Sequence, residues 1–599
     1  MAQRLEDYWG VGPKTSERLQ EALGVERAIE AIESADVRAL VDAGIPRGRA
    51  TRVLRRANGG AGMDILATSD ARSVYDDLLE LAVDYAVTRH AADRIRVLTP
   101  LTDREAIEAR LDRVLDARDA WAGLEERDRE AVLDAFEAYD EADGTERAAV
   151  EAALALRDAG LSGATFDALD AVSPEELRAA AGALGYVETG SGDGAGTGGT
   201  DADARVLEGA DEELDRLRAR LVDAEGLENA AFDVLDSVRD SGVRSLSEFE
   251  SAVVEYVARE TDLTAGEVRA AAADDARDEA DFVSATLRNL VADLRESAES
   301  REATVREELQ ARIETAREDV DAAVAAVDDI AFDLSLGRFA VAYDLTRPEL
   351  VEDGIAVAGA RNLFLGEEVQ PVTYAVGTHS LEPGDVDPAP LPPSDDRVSV
   401  LTGANSGGKT TLLETLCGVT LLTAMGLPVP ADRAQVGSFD AVVFHRRHAS
   451  FNAGVLESTL KSIVPPLVDG SRPLMLVDEF EAITEPGRAA DLLNGLVGLT
   501  VDRDALGVYV THLADDLSPL PEEARIDGIF AEGLTGDLEL RVDYQPRFGT
   551  VGKSTPEFIV SRLVANARDR AERQGFETLA AAVGEEAVQR TLADAQWRS

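Results

Sequence analysis

The chain has 599 residues, enough for several domains with cores of ordinary size. It carries 116 acidic against 60 basic residues, a formal net charge of -56, and its single cysteine, Cys417, excludes an internal disulfide. No run approaches the ~18 consecutive apolar residues that span a bilayer, and the start Met1-Ala2-Gln3-Arg4-Leu5 lacks an export pattern, so a cytoplasmic protein with no membrane partner is expected.

Lysine occurs only at Lys14, Lys409, Lys461 and Lys553, so arginine supplies most positive charge. Self-repulsion on this scale strains a compact state in dilute buffer, whereas concentrated salt screens it within a few Å. The balance therefore points to a halophilic protein in a salt-rich cytoplasm. The other reading is an acidic protein that avoids nucleic acid in a low-salt cell. If the surrounding proteome is equally acidic, overall charge says little about partners, and only local cation clusters count.

In chain order, residues 1–60 form two similar halves. Leu5 to Gly10 leads into Gly10-Val11-Gly12-Pro13-Lys14 and a helix through Leu23; Val37 to Ala43 leads into Gly44-Ile45-Pro46-Arg47-Gly48-Arg49 and a helix through Arg56. Each half is a short helix, a glycine turn and a second helix. The segment resembles a pair of helix-hairpin-helix motifs. That resemblance implies DNA phosphate contacts without sequence readout, through the turns at Gly10, Gly12 and Lys14 and at Arg47 and Arg49, with further positive charge at Arg52, Arg55 and Arg56. The alternative is a helical packing module that serves protein contacts.

Residues 70–187 carry apolar residues at helical spacing and read as a helical region. Residues 188–204, rich in glycine, read as a flexible linker, either a tip facing a ligand or a surface insertion. A helical core or lever occupies 205–330. From Leu287 through Val327 its apolar steps of three and four, without Pro or Gly, predict one long amphipathic helix of about 60 Å. Beyond 330 the character changes: Phe339-Ala340-Val341-Ala342-Tyr343 and Gly354-Ile355-Ala356-Val357 read as strands, and Pro383 to Pro393 as a proline-rich loop. Strands and helices then alternate to about 565, as a mainly parallel sheet covered by helices requires. A helical tail, 566–599, is expected to break at Gly575. The fold class is mixed, with helical N-terminal and lever regions and one α/β domain.

The chemistry sits in that α/β domain. Gly403-Ala404-Asn405-Ser406-Gly407-Gly408-Lys409-Thr410-Thr411 fits the phosphate-loop pattern G-x-x-x-x-G-K-[ST]. The run Val398-Ser399-Val400-Leu401 reads as the entering strand, and Thr411 to Thr423 as the departing helix, whose N-terminus faces negative charge. Lys409 would reach the outer phosphates and Thr410 would bind Mg²⁺. The apolar strand Leu474-Met475-Leu476-Val477 ends in Asp478 and Glu479. Asp478 suits Mg²⁺ opposite Thr410, and Glu479 suits activation of the attacking water. A further strand, Gly507 to Val510, ends in Thr511-His512, and a histidine there would contact the γ-phosphate or its water. ATP with Mg²⁺ is the expected cofactor pair, and no guanine-selective Asn-Lys-x-Asp pattern occurs.

The loop sequence resembles that of the MutS family, as do Met425-Gly426-Leu427-Pro428-Val429-Pro430-Ala431 and Val436-Gly437-Ser438-Phe439-Asp440. Asp478-Glu479-Phe480-Glu481-Ala482-Ile483-Thr484-Glu485-Pro486 resembles the form in that family's second branch. Ser450-Phe451-Asn452-Ala453-Gly454-Val455-Leu456 occupies the place of its signature segment and retains the Ser, Gly and Leu. The resemblance covers about residues 330–565 well. It implies an ABC-like P-loop ATPase and a head-to-head homodimer, with Ser450 and Gly454 completing the partner's nucleotide site. It further implies DNA binding with little sequence selectivity. No Phe-x-Glu, the mismatch-reading motif of other members, occurs before residue 330. An SMC-like structural ATPase and a true mismatch-recognition protein are the alternatives.

Overall fold

The structure, a computed structural model, describes residues 4–8, 10–33, 36–159, 163–188, 205–273, 276–366, 369–386, 388–403, 408–446, 453–479, 486–513, 516–517, 519–535, 540–552, 556–584, 586 and 588–592. Ala404, Asn405, Ser406 and Gly407, the stretches Ser450 to Asn452 and Phe480 to Glu485, and residues 189–204 lie outside them. Among the described residues the chain divides into two compact units, one of 131–161 and 166–327, the other of the remainder.

The first of these units is helical. Helices Glu212–Asn229, Ala231–Asp240, Leu246–Glu260 and Glu279–Thr315 surround one apolar cluster that includes Val234, Phe249, Val253, Val257, Leu287, Leu290 and Leu294. Asp211 and Asp278 start the first and last of these helices by accepting backbone N–H groups at 2.9 Å, satisfying donors that a helix start leaves open. Two short strands, β1 (Val187–Glu188) and β2 (Arg205–Val206), pair antiparallel on either side of the glycine-rich segment. Both flanks of that segment therefore belong to one unit.

The expected single long helix is two helices. Glu279–Thr315 ends at Ala316, whose N–H is shared between the carbonyls of Arg312 and Ile313, and Arg317–Ala342 follows. The buried stripe still runs through Val305, Leu309, Ile313, Ala316, Val320 and Val327, so apolar periodicity alone does not register the break. The second helix also corrects the strand expected at Phe339 to Tyr343. Phe332, Leu336, Phe339 and Tyr343 recur every three or four residues, and the rings of Tyr85, Phe339 and Tyr343 pack with centroids 5.3 to 5.9 Å apart. Gly337 sits in that helix because a Cβ there would come within 2.7 Å of the Ala117 and Arg118 backbone.

In the other unit, helices Pro13–Leu23, Val25–Glu33, Val37–Asp42 and Arg47–Gly59 enclose Leu19, Ile32, Leu40, Ile45, Val53 and Leu54. Helices Ser69–Val83, Arg89–Arg96 and Arg104–Gly123 follow, and residues such as Val74 and Leu78 share one continuous core with the sheets.

The smaller sheet contains β3 (Glu349–Val351), β4 (Ile355–Ala360), β5 (Val372–Val376) and β7 (Arg433–Gly437), in the order β3-β7-β4-β5. The larger contains β6 (Val398–Gly403), β8 (Ala441–His445), β9 (Pro473–Val477), β10 (Leu506–Val510), β11 (Ala524–Leu534) and β12 (Leu540–Arg547), in the order β12-β11-β6-β10-β9-β8. All its pairings are parallel except β11 with β12. Every residue of β6, β9 and β10 is buried, as central parallel strands covered on both faces must be. Gly575, expected to break the tail, lies inside the helix Arg570–Val583. Among the described residues no helix is long and apolar enough to cross a membrane.

Candidate functional site

Strand β6 runs into Gly403, and the helix Gly408–Ala424 leaves on the far side of the loop. Gly403 has φ +127, and a Cβ there would lie 2.0 Å from the Ile529 carbonyl oxygen on β11. Its glycine is thus required by the neighbouring strand as well as by the loop. Lys409 is only 4% exposed, and its Nζ donates to the Gly403 carbonyl at 2.8 Å. That bond folds the ammonium back onto the end of β6. Cys417 lies deeper in the same helix, fully buried, and burial pushes its thiol pKa up.

The two carboxylates at the end of β9 go to different partners. The Asp478 N–H donates to His445 at the end of β8, and the Glu479 N–H donates to Val510 at the end of β10. Asp478, 3% exposed, accepts the Thr410 hydroxyl at 2.5 Å. Glu479, 8% exposed, has φ +42, a left-handed conformation that costs a non-glycine residue on the order of 1–3 kcal/mol. In that strained conformation Glu479 Oε1 lies 2.8 Å from His512 Nε2. The structure therefore brings Thr410 to Asp478 and Glu479 to His512. Two hard oxygen donors, one of them a buried carboxylate, fit Mg²⁺ better than a softer metal.

Sequence reading missed two features. Tyr544 on β12 lies over the helix start, so close that a Cβ on Gly408 would meet its ring at 2.4 Å. Beside it opens a cavity of about 410 Å³ walled by Leu365, Val369, Val372 and Leu412. Asn362 bounds this cavity and ties β4's exit to the helix by donating to Glu414 Oε2 at 3.1 Å and Thr415 Oγ1 at 3.3 Å.

The second feature lies beneath β6. Asp527, fully buried, accepts the Tyr374 hydroxyl at 2.9 Å, the Ser399 hydroxyl at 2.7 Å and Arg525 Nε at 2.9 Å. Burial lowers the Arg525 pKa, but Tyr374 and Asp527 outweigh it and leave it raised; burial and then Asp527 push Tyr374 well up. From the same residue, the Asp527 carbonyl accepts Thr402 Oγ1 at 2.9 Å, and Thr402 Oγ1 accepts the Gly552 N–H at 2.6 Å. These bonds fix the strand one residue before the loop begins. The available signal was Arg525 and Asp527 on one face of the otherwise apolar stretch Ala524 to Ala531 of β11.

The N-terminal turns are cross-linked. Gly10 and Gly44 have φ +83 and +81, which only glycine adopts freely. Arg49 Nη2 donates to the Gly10 carbonyl at 3.3 Å, and Arg18 Nη1 to the Gly44 carbonyl at 2.8 Å. Gly12 precedes the first helix as its N-cap, and Lys14 is exposed in its first turn. Arg47 opens the fourth helix, and Gly454 lies in the first turn of Ala453–Val468.

Fold and site together define a mixed α/β domain, in one chain with long helical regions, whose parallel sheet presents a strand–loop–helix unit faced by Asp478, Glu479 and His512. No family model matches the chain. Over 227 residues it is 43% identical to the DNA-binding protein MutS2 of Pyrococcus furiosus, covering 38% of this chain and 39% of that protein. It is 31% identical over 174 residues to the endonuclease MutS2 of Thermus thermophilus, covering 28% of this chain and 23% of that one. The DNA mismatch repair protein MutS of Natronomonas pharaonis is 30% identical over 235 residues, 37% of this chain and 25% of the relative. The chain is thus MutS2-like over part of its length, and it spans about two fifths or less of each of these relatives.

Proposed function

We propose that the protein is a Mg²⁺-dependent ATPase that binds DNA with little sequence selectivity and works as a dimeric clamp. The observation that carries the reading is the convergence of Thr410 with Asp478 and of Glu479 with His512 at the mouth of one strand–loop–helix unit. Lys409 would exchange the Gly403 carbonyl for the outer phosphates. Thr410 and Asp478 would hold Mg²⁺, which supplies charge neutralisation on the phosphates. Glu479 would take the proton of the attacking water, with His512 holding its carboxylate in place. The cavity beside Tyr544 would take the base, with the ring as a stacking surface. Ala404, Asn405, Ser406, Gly407, Gly408 and Thr411 complete the proposed phosphate contacts, and Ser450 and Gly454 would reach the partner's site.

DNA binding is supported by the similarity to the DNA-binding protein of Pyrococcus and by the two N-terminal turns with Lys14 and Arg49. The acidic composition supports a halophilic protein acting in concentrated salt. The chemistry is tested by two variants. Glu479→Gln is expected to keep ATP binding and to lose hydrolysis by a factor on the order of 10² or more. Lys409→Ala is expected to lose nucleotide binding itself. Normal turnover by Glu479→Gln removes the base from the mechanism.

A further inference from the structure

One groove departs from the charge pattern of the whole chain, which carries about two carboxylates for every cation. A cavity of about 830 Å³ is lined by Arg52, Arg55 and Arg56 of the fourth helix, Arg72 of the helix Ser69–Val83, and Lys461 of the helix Ala453–Val468. Five cations therefore meet at one place, contributed by three separate helices. Four carboxylates share the lining: Asp64, Asp76, Asp440 and Asp469. Two of them are engaged by the groove's own arginines, Asp76 by Arg55 at 2.5 Å and Asp64 by Arg56 at 3.0 Å. Asp440 accepts the Arg472 N–H at 2.9 Å.

The arginines divide by role. Arg55 is largely buried: it lies 4.8 Å over the Tyr75 ring and donates to the Arg96 carbonyl at 2.7 Å, forming part of the floor. Arg52 and Arg72 are exposed, and neither pairs with a carboxylate among the described residues. Arg52 gives only its Nε to the Gly48 carbonyl at 3.0 Å, leaving both terminal amino groups for a ligand. Lys461 pairs with Glu457 one helical turn away, an exposed ion pair of the kind worth little. In a chain this acidic, two uncommitted guanidiniums and a loosely held ammonium, in a lining of five cations against four carboxylates with Asp469 among them, give a balance that suits an anion.

We propose that this groove binds the phosphate backbone of duplex DNA, carrying the contact from the N-terminal helices onto β8 and the helix Ala453–Val468, whose Ala441 and Ser462 also line it. The proposal rests on the DNA-binding reading above and assigns Arg72 and Lys461 to it. Several converging cations, rather than one helix terminus, match a ligand with regularly repeated charges.

The test is a titration of the intact protein with homoduplex DNA across a KCl series, read by fluorescence anisotropy. Arg52→Gln combined with Arg72→Gln should weaken binding about tenfold for every duplex sequence and lower the slope of log affinity against log salt by about 2. Adding Lys461→Gln should lower it by about one more. The charge-keeping pair Arg52→Lys with Arg72→Lys should retain the wild-type slope. A glutamine pair that binds with unchanged affinity and slope overturns the groove while leaving DNA binding elsewhere intact. A lysine pair that loses as much as the glutamine pair also overturns it, because the loss is then not one of charge. Wild-type protein that binds no duplex at any salt overturns the DNA-binding reading itself, and the groove with it.

Discussion

The sheet-bearing unit and the helical unit treat charge in opposite ways. Beneath β6, Arg525 and Asp527 are buried together and share Tyr374 and Ser399 in one hydrogen-bonded cluster. In the helical unit the ion pairs Arg295–Glu225 and Arg239–Glu279 sit on the surface with both partners substantially exposed. There no charged side chain is buried among the described residues, only hydroxyls such as Thr261 and Thr286 join the apolar core, and charge serves solvation. In the sheet unit charge sets geometry, because a buried guanidinium accepts few alternative arrangements of its partners. What the contrast teaches is that extreme overall acidity does not govern the interior: Arg525 and Asp527 are buried as partners beside the strand that leads into the loop.

The contrast breaks most visibly at Asp527. Asp527→Ala leaves Arg525 buried without its nearest carboxylate and should cost about 3–5 kcal/mol. Hydrogen exchange of the β6 and β11 amides reads this locally, and a loss below about 1 kcal/mol would mean that the cluster is not what secures the strand. A smaller effect is expected at the cavity. Tyr544→Ala should weaken ATP binding about tenfold, in line with about 1–3 kcal/mol for stacking a base on an aromatic ring. Equilibrium binding of a fluorescent ATP analogue checks it, and unchanged affinity would exclude the ring from base recognition. The smallest effect belongs to the helical unit: Arg295→Ala should shift stability by less than about 1 kcal/mol, and less still in molar salt. Thermal melts at low and high KCl decide whether surface pairing there is as weak as its exposure implies.

Much of this architecture was readable because local signals and tertiary placement agree. The apolar run at Val398, the phosphate-loop spacing and the strand ending in Asp478-Glu479 each need only neighbouring residues to be recognised. Helices Pro13–Leu23, Val37–Asp42 and Arg47–Gly59 were marked by their glycine turns, but Val25–Glu33 was missed and the short helix expected from Leu5 is a single turn, Leu5–Asp7. The misses arose where distant partners decide. Phe339 to Tyr343 has strand-like composition, yet its ring contacts with Tyr85 favour a helix. Ala316 interrupts a helix without Pro or Gly, and Gly575 sits inside one without breaking it. Tyr544 reaches Gly408 across 136 positions of sequence, so spacing carried no hint of it. Glu479's left-handed backbone is likewise invisible in a sequence whose Asp-Glu pairs are common; it emerges only when β10 and His512 are in view.

The clasp between the N-terminal turns has a consequence for how that segment can be altered. Arg18 belongs to the first copy and holds the second copy's bend; Arg49 belongs to the second and holds the first's. Val53 also leans on Gly10 from across the duplication, within 3.1 Å of where a side chain would begin. Excising either copy would therefore strip the survivor of its fastening. The two halves are structurally interdependent and would have to be altered together.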